Sequence, residues 1–295
     1  MINKIGKGVG VALVTPFTEK GEVDFETLEK LVDFQIENGT QYLVCLGTTA
    51  ETPTLSQEER HKIVRCIVKR NNARVPIIVG IGGNNTAAVC ETLHSFDFYG
   101  VNAVLSVAPC YNKPSQEGLF RHYVALSNAS PLPIILYNVP SRTGVNISAE
   151  TTLRIARECE NVIGIKEASG NMEQIKKIIC DCNDDFRVIS GDDAMALSVI
   201  QSGGSGVVSV LANAFPKQFS QLIQLALNGD MARAKEMERA FHRSFSLLFA
   251  DGNPAGVKCY LHAMGRINDI LRLPLVPVCE NVRQQIYNDL KTIVQ

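Results

Sequence analysis

Almost nothing in this 295-residue chain would attract a polyanion: 29 lysines and arginines are offset by 30 aspartates and glutamates, for a formal net charge of -1. Binders of nucleic acid or anionic membrane need a basic excess to neutralise phosphates, so neither partner is expected. No run of about 18 apolar residues occurs, the length a membrane-crossing helix needs. The start, MINKIGKGVGVALVTPF, has no cleavable apolar core with a small-residue exit, which predicts a cytoplasmic protein. His61, His94, His122, His242 and His262 fall on helix-patterned stretches without metal-ligand spacing. The G-x-G at Gly8 and Gly10 precedes a strand, and GIGGNN (80–85) lacks a third glycine, so neither is a dinucleotide fingerprint. SGGSG (202–206) stands before a strand and not after one, as a tight turn would. Nine cysteines, an odd number scattered through strands and helices, fit a reducing compartment. Cys180 and Cys182 have no second pair to complete a zinc site. No cofactor and no metal are expected.

What is present is core material and a regular rhythm. The chain is 45% hydrophobic and 20% charged, enough to bury a large interior. Strand-like runs at 10–17, 41–47, 75–82, 101–109, 131–139, 162–168, 186–191 and 206–213 alternate with helix-period stretches. The helical stretches are 24–38, 56–70, 86–98, 115–127, 148–157, 172–180, 193–201 and 216–227. Ser56 and Glu59 match a capping box, and Pro216 suits a first helical turn. About eight strand and helix pairs of near-continuous Val, Ile and Leu predict an α/β fold, a (β/α)8 TIM barrel, over residues 1–230. A doubly wound open sheet is the competing architecture. Residues 231–295 are helical in pattern and are expected to form a C-terminal helical appendage.

In such a barrel the reacting groups gather at the C-terminal ends of the strands. There the sequence puts GTT (47–49), CYNKPS (110–115), YNVPSRTG (137–144), Lys166, SGDD (190–193) and Asn213. Lys166 sits inside an apolar run, VIGIKEA, where lysines are seldom buried without a partner or a task. Glu167 is poorly placed to be that partner, because adjacent strand residues point to opposite faces. Burial disfavours an ammonium, which has a use where a nucleophilic amine must form an imine with a carbonyl substrate. The plainer reading is a lysine whose stem lies on apolar surface with its amine in water. Tyr137, one strand earlier, is a core aromatic or a proton carrier for that amine. Arg142 offers a planar fork for a carboxylate, or a surface ion pair. Thr48 and Thr49 follow a glycine in what is either an anion-holding nest or a simple turn. Tyr111 is a second phenol at the mouth or an interface aromatic.

Taken together and in order, VALVTPF, GTTAE, YNKPSQEG, YNVPSRTG, GIKEASG and SGDD resemble the dihydrodipicolinate synthase (4-hydroxy-tetrahydrodipicolinate synthase) family over nearly the whole chain. The resemblance implies that Lys166 forms an imine with pyruvate, whose carboxylate rests on Thr48 and Thr49. It implies a proton relay of Tyr137, Thr48 and Tyr111, with Tyr111 supplied by a neighbouring subunit of a homotetramer built from tight dimers. It further implies that Arg142 holds the carboxylate of aspartate semialdehyde and that backbone around Gly191 and Val208 completes the pocket, with no cofactor. The pathway is lysine and diaminopimelate biosynthesis. Two rivals remain within the superfamily, N-acetylneuraminate lyase and 2-keto-3-deoxy sugar-acid aldolase, both of which usually lack that arginine. A third reading is a non-catalytic binding barrel. The chain departs from the family at Ala50, where glycine is usual, a change the nest tolerates if the φ there is negative. It departs again at Gln57, Arg60, Ala88 and Cys110, where many members line a lysine effector site to which only Asn84 corresponds. Weak or absent lysine feedback is therefore expected.

Overall fold

The structure, a computed structural model, describes residues 5–294. Eight strands close a parallel barrel in sequence order, with β8 returning to β1. They are β1 Gly8–Ala12, β2 Tyr42–Cys45, β3 Ile77–Gly80 and β4 Ala103–Val107, followed by β5 Ile134–Asn138, β6 Val162–Glu167, β7 Arg187–Ser190 and β8 Gly206–Ser209. The helices through the barrel are α1 Phe25–Glu37, α2 Gln57–Asn71, α3 Thr86–Ser95, α4 Gln116–Ala129, α5 Pro140–Thr143, α6 Ala149–Glu158, α7 Met172–Asp181, α8 Ala196–Gln201 and α9 Pro216–Leu227. After it come α10 Met231–Glu238, α11 His242–Leu247, α12 Ala255–Ala263 and α13 Glu280–Val294.

Local chemistry sets most helix starts. The Ser56 hydroxyl accepts from the Glu59 N–H, and the Glu59 carboxylate accepts from the Ser56 N–H, a complete capping box at α2. Asp24, Asn85, Ser115, Ser148 and Asn171 cap α1, α3, α4, α6 and α7 in the same sense. Strand side chains pointing outward, such as Val9, Val11, Leu43, Val79 and Ile165, join the core beneath the helices. Those pointing inward, including Ala12, Tyr42, Ile78, Ile135 and Val208, fill the barrel. The interior is tight enough that Gly10 has to lack a side chain: a Cβ there would stand 1.9 Å from the Tyr42 ring.

Boundaries differ from the sequence reading at three places. The α3 helix stops at Ser95, because Phe96 turns extended and the Asp97 carboxylate accepts from the Tyr99 N–H in a turn of its own. The α8 helix starts at Ala196 and not at Asp193, because the buried Asp193 carboxylate is spent on the backbone N–H groups of Val210 and Leu211. Burial pushes that carboxyl up to about 6. In the C-terminal part, residues 268–279 are irregular, because Pro274 and Pro277 cannot donate and bias their predecessors away from helix.

Arg272 pins this irregular stretch to the barrel. Its backbone N–H donates to Glu51, its guanidinium donates to Glu59 and to the carbonyls of Gly21 and Thr54, and it lies over the Phe17 ring. The same guanidinium holds the Glu59 carboxyl down to about 2. Among the described residues no helix is long and apolar enough to cross a membrane.

Candidate active site

At the C-terminal mouth of the barrel lies a cavity of about 480 Å³. Lys166, Tyr137, Thr48, Thr49, Arg142 and Gly191 all line it, so six residues singled out from sequence meet in one space. Strand pairing does the placing. Tyr137 of β5 and Lys166 of β6 are register partners, both point inward, and the Lys166 Nζ stands 4.2 Å from the centre of the Tyr137 ring. Lys166 is only 6% exposed and forms no ion pair among the described residues. A buried amine without a countercharge, beside a phenol, is the arrangement imine chemistry needs.

Gly191 is the other half of that arrangement. A Cβ there would come within 3.1 Å of the Lys166 Cε and 2.7 Å of the Ala168 Cβ, so any side chain would press on the lysine arm. Thr48–Ala50 forms a 3-10 turn after β2, with the N–H groups of Ala50 and Glu51 closing it onto Gly47 and Thr48. An anion seated at the start of this turn meets the N–H groups and hydroxyls of Thr48 and Thr49. Ala50 is absent from the residues with positive φ, so the departure from glycine leaves the turn intact. The positive φ falls instead on Glu51, at 56°. Arg142, in the short α5 helix after β5, lines the cavity without an ion pair among the described residues, which leaves its fork for a ligand.

Two of the expected residues stand elsewhere. Val208 lies inside the barrel and does not line the cavity, whose wall at this point is Val210, just past the end of β8. Tyr111 is 90% exposed at the tip of the loop after β4, held in a left-handed conformation at φ 68°, and does not reach the cavity of its own chain. Glu167 faces outward as expected, but under the helices and nearly fully buried.

The sequence reading missed the contribution of the C-terminal part. Phe249, Gly252, Asn253 and Leu275 line the cavity. The Asn253 Nδ2 donates to the Thr49 Oγ1 at 3.0 Å, while its buried Oδ1 has no hydrogen-bond partner among the described residues. Gly-Asn-Pro reads as an ordinary turn between helices, and nothing local says that it folds back onto GTT. Behind the same turn, the Lys258 Nζ of α12 stands 2.5 Å from the Glu51 Oε1, donates to the Ile270 carbonyl, and lies over Phe17. Both side chains are fully buried. Burial pulls the Lys258 pKa below the usual lysine value, against the opposing pull of Glu51.

A neighbouring cavity of about 370 Å³ shares Gly47, Thr48 and Tyr137 with the first and is lined further by Gln57 and Arg60. Arg60 donates to the Thr52 carbonyl. Asn84, outside this cavity, has its Oδ1 taken by the N–H and thiol of Cys110.

Comparison with known proteins agrees with this geometry. A family model described as the dihydrodipicolinate synthetase family matches residues 6–293. A 4-hydroxy-tetrahydrodipicolinate synthase from Parabacteroides distasonis is 57% identical over 271 residues, covering 92% of this chain and 91% of the relative. Another from Phocaeicola vulgatus is 54% identical over 295 residues and covers 99% of both. The crystal structure of dihydrodipicolinate synthase from Thermotoga maritima superposes with a TM-score of 0.95 at 42% identity, covering 98% of each chain. A monomeric dihydrodipicolinate synthase variant superposes at 0.96 with 41% identity, covering 99% of this chain and 98% of its own. A family match over almost every residue, joined to a lysine, phenol and arginine in one barrel mouth, establishes that the chain belongs to the dihydrodipicolinate synthetase family.

Proposed function

We propose that the chain is a Schiff-base-forming lyase that condenses pyruvate with L-aspartate 4-semialdehyde, the reaction of a 4-hydroxy-tetrahydrodipicolinate synthase. The observation that carries this reading is the buried Lys166 amine in one cavity with Tyr137, Thr48 and the Arg142 guanidinium, neither cation ion-paired among the described residues. The Lys166 amine adds to the pyruvate C2 carbonyl while the carboxylate lies on Thr48 and Thr49. Loss of water gives the imine, and Tyr137 with Thr48 carries the protons this exchange requires. The protonated imine withdraws electrons, so the pyruvate methyl loses a proton and becomes an enamine carbon nucleophile. That carbon attacks the semialdehyde aldehyde, and the new oxyanion takes a proton. The substrate's own amine then displaces the lysine from the imine carbon, closing the ring and freeing Lys166. Tyr111 joins the relay from a neighbouring copy in a homotetramer, which accounts for an aromatic presented almost wholly to solvent.

Arg142 separates this reading from the sugar-acid aldolases, because a polyol substrate has no carboxylate where the semialdehyde has one. A charge-assisted hydrogen bond contributes about 1.5–3 kcal/mol. Arg142→Ala is thus expected to lower kcat/KM for the semialdehyde roughly 10- to 100-fold while pyruvate trapping by borohydride stays intact. Turnover of N-acetylneuraminate, or of the semialdehyde by Arg142→Ala at the unaltered kcat/KM, would remove the assignment. Lysine feedback is a separate matter. Ala88 supplies no acceptor for an effector ammonium, and Asn84 Oδ1 already serves Cys110, so micromolar lysine is expected to leave the steady-state rate unchanged; inhibition in that range would count against this.

A further inference from the structure

Glu167 belongs to no step of the reaction, yet a buried carboxylate on the outer wall of a barrel is expensive to keep. One inward step along the same strands the outward positions are apolar and fully buried, Leu136 on β5 and Ile165 on β6. The wall turns polar only at the height of Lys166 and Tyr137, where Asn138 and Glu167 are register partners facing outward.

We propose that Glu167 is a positioning residue, which, given the Lys166 reading above, fixes the geometry of Lys166, Tyr137 and Arg142 from behind the barrel wall. Its Oε1 accepts from the Asn138 Nδ2 at 2.5 Å and from the Gln174 Nε2 of α7 at 2.8 Å, and its Oε2 accepts from the Ser169 N–H at 3.1 Å. Asn138 carries the tie onward: its Oδ1 accepts from the Ile147 N–H at 3.0 Å and its Nδ2 donates to the Asn146 Oδ1 at 2.8 Å. Gln174 and Asn146 exchange hydrogen bonds through both side chains. One carboxylate therefore joins β5, β6, α7 and the far end of the segment that begins after Asn138 and contains Arg142.

Three consequences follow from the connectivity. Asn138 follows Tyr137 directly, so holding it sets where the phenol points. Glu167 follows Lys166 directly, and its carbonyl accepts from the Gly191 N–H at 2.7 Å, the glycine that makes room for the lysine arm. The segment carrying Arg142 is anchored at both ends by the same cluster. Losing the carboxylate leaves the Asn138 and Gln174 amides seeking other acceptors, and a shift of about 1 Å between reacting groups is enough for a 100-fold loss.

The test compares wild type, Glu167→Ala and Glu167→Gln in the full-length protein, with Gln174→Ala as a milder variant. Circular dichroism reports folding, pyruvate trapping by borohydride and mass spectrometry counts competent sites, and kcat is expressed per trapped site. Glu167→Ala is expected to lose about 10- to 100-fold in kcat per trapped site. Glu167→Gln, which keeps one acceptor for Asn138 and Gln174, is expected to recover most of that. If Glu167→Ala does not fold, Gln174→Ala is expected to show the same loss to a lesser degree. An activity loss that merely follows the fraction of folded or trappable chains, with kcat per trapped site unchanged in every variant, would overturn the proposal. Failure of the Lys166 reading itself looks different: wild type would trap no pyruvate, or Lys166→Ala would still trap it.

Discussion

Lys166→Ala is expected to abolish the mass increase that borohydride leaves on the wild-type chain in the presence of pyruvate, and with it turnover. Removal of a covalent nucleophile costs on the order of 10⁴- to 10⁶-fold in kcat. Among the described residues no other lysine lines the cavity. Lys258, the other buried lysine, is committed to Glu51 and the Ile270 carbonyl on the far side of the GTT turn. Lys166→Arg is expected to be as inert as alanine, because a guanidinium stays protonated and cannot add to a ketone. Both variants are expected to keep wild-type circular dichroism, since the site lies in a solvent-connected cavity and the lysine makes no ion pair there. An adduct on the alanine variant, mapped to any other residue, would end the imine assignment.

The second large effect is on stability. Lys258→Met is expected to destabilise the fold by about 3–5 kcal/mol, the scale for removing one partner of a buried ion pair. The loss arises less from the missing attraction than from a fully buried Glu51 carboxylate left without the Lys258 ammonium. Glu51→Leu in the same chain is expected to recover a substantial part of the deficit, because the uncompensated charge goes with it. The recovery is incomplete, as Glu51 Oε2 also accepts from the Arg272 N–H. Equilibrium denaturation of the two single variants and the double variant measures the coupling directly. Simple additivity of the two single losses would show that the pair is not an energetic unit. Glu51 also closes the Thr48–Ala50 turn, so the single variants are expected to raise KM for pyruvate as well as lose stability.

Much of the site was legible because strand order and side-chain alternation are local properties. VIGIKEA and PLPIILYNV each declare a strand, and counting them puts Lys166 and Tyr137 side by side. Height along a strand is less legible. Val208 and Val210 have the same apolar character, and only the point at which β8 ends, Ser209, decides that Val210 and not Val208 meets the cavity. Contacts across the chain leave no local mark at all. Asn253 and Thr49 are both ordinary turn residues in the sequence, as Glu51 and Lys258 are ordinary surface charges, until the fold brings each pair together. Glu167 was legible as an outward residue by alternation, but its partner Gln174, and the Asn146 that Gln174 in turn holds, arrive from a helix and a loop whose approach no periodicity encodes.

The order of synthesis gives the C-terminal part a further meaning. When the last barrel strand has left the ribosome, every reacting side chain on the strands exists, yet Phe249, Asn253 and Leu275 do not, and the mouth lacks a wall. Glu51 waits through the same interval without its countercharge, because Lys258 is among the later residues made. A nascent barrel therefore carries an unbalanced carboxylate next to its GTT turn and an open pocket. The pocket is completed only by residues made after the last strand, and its wall forms when the C-terminal part folds onto the barrel.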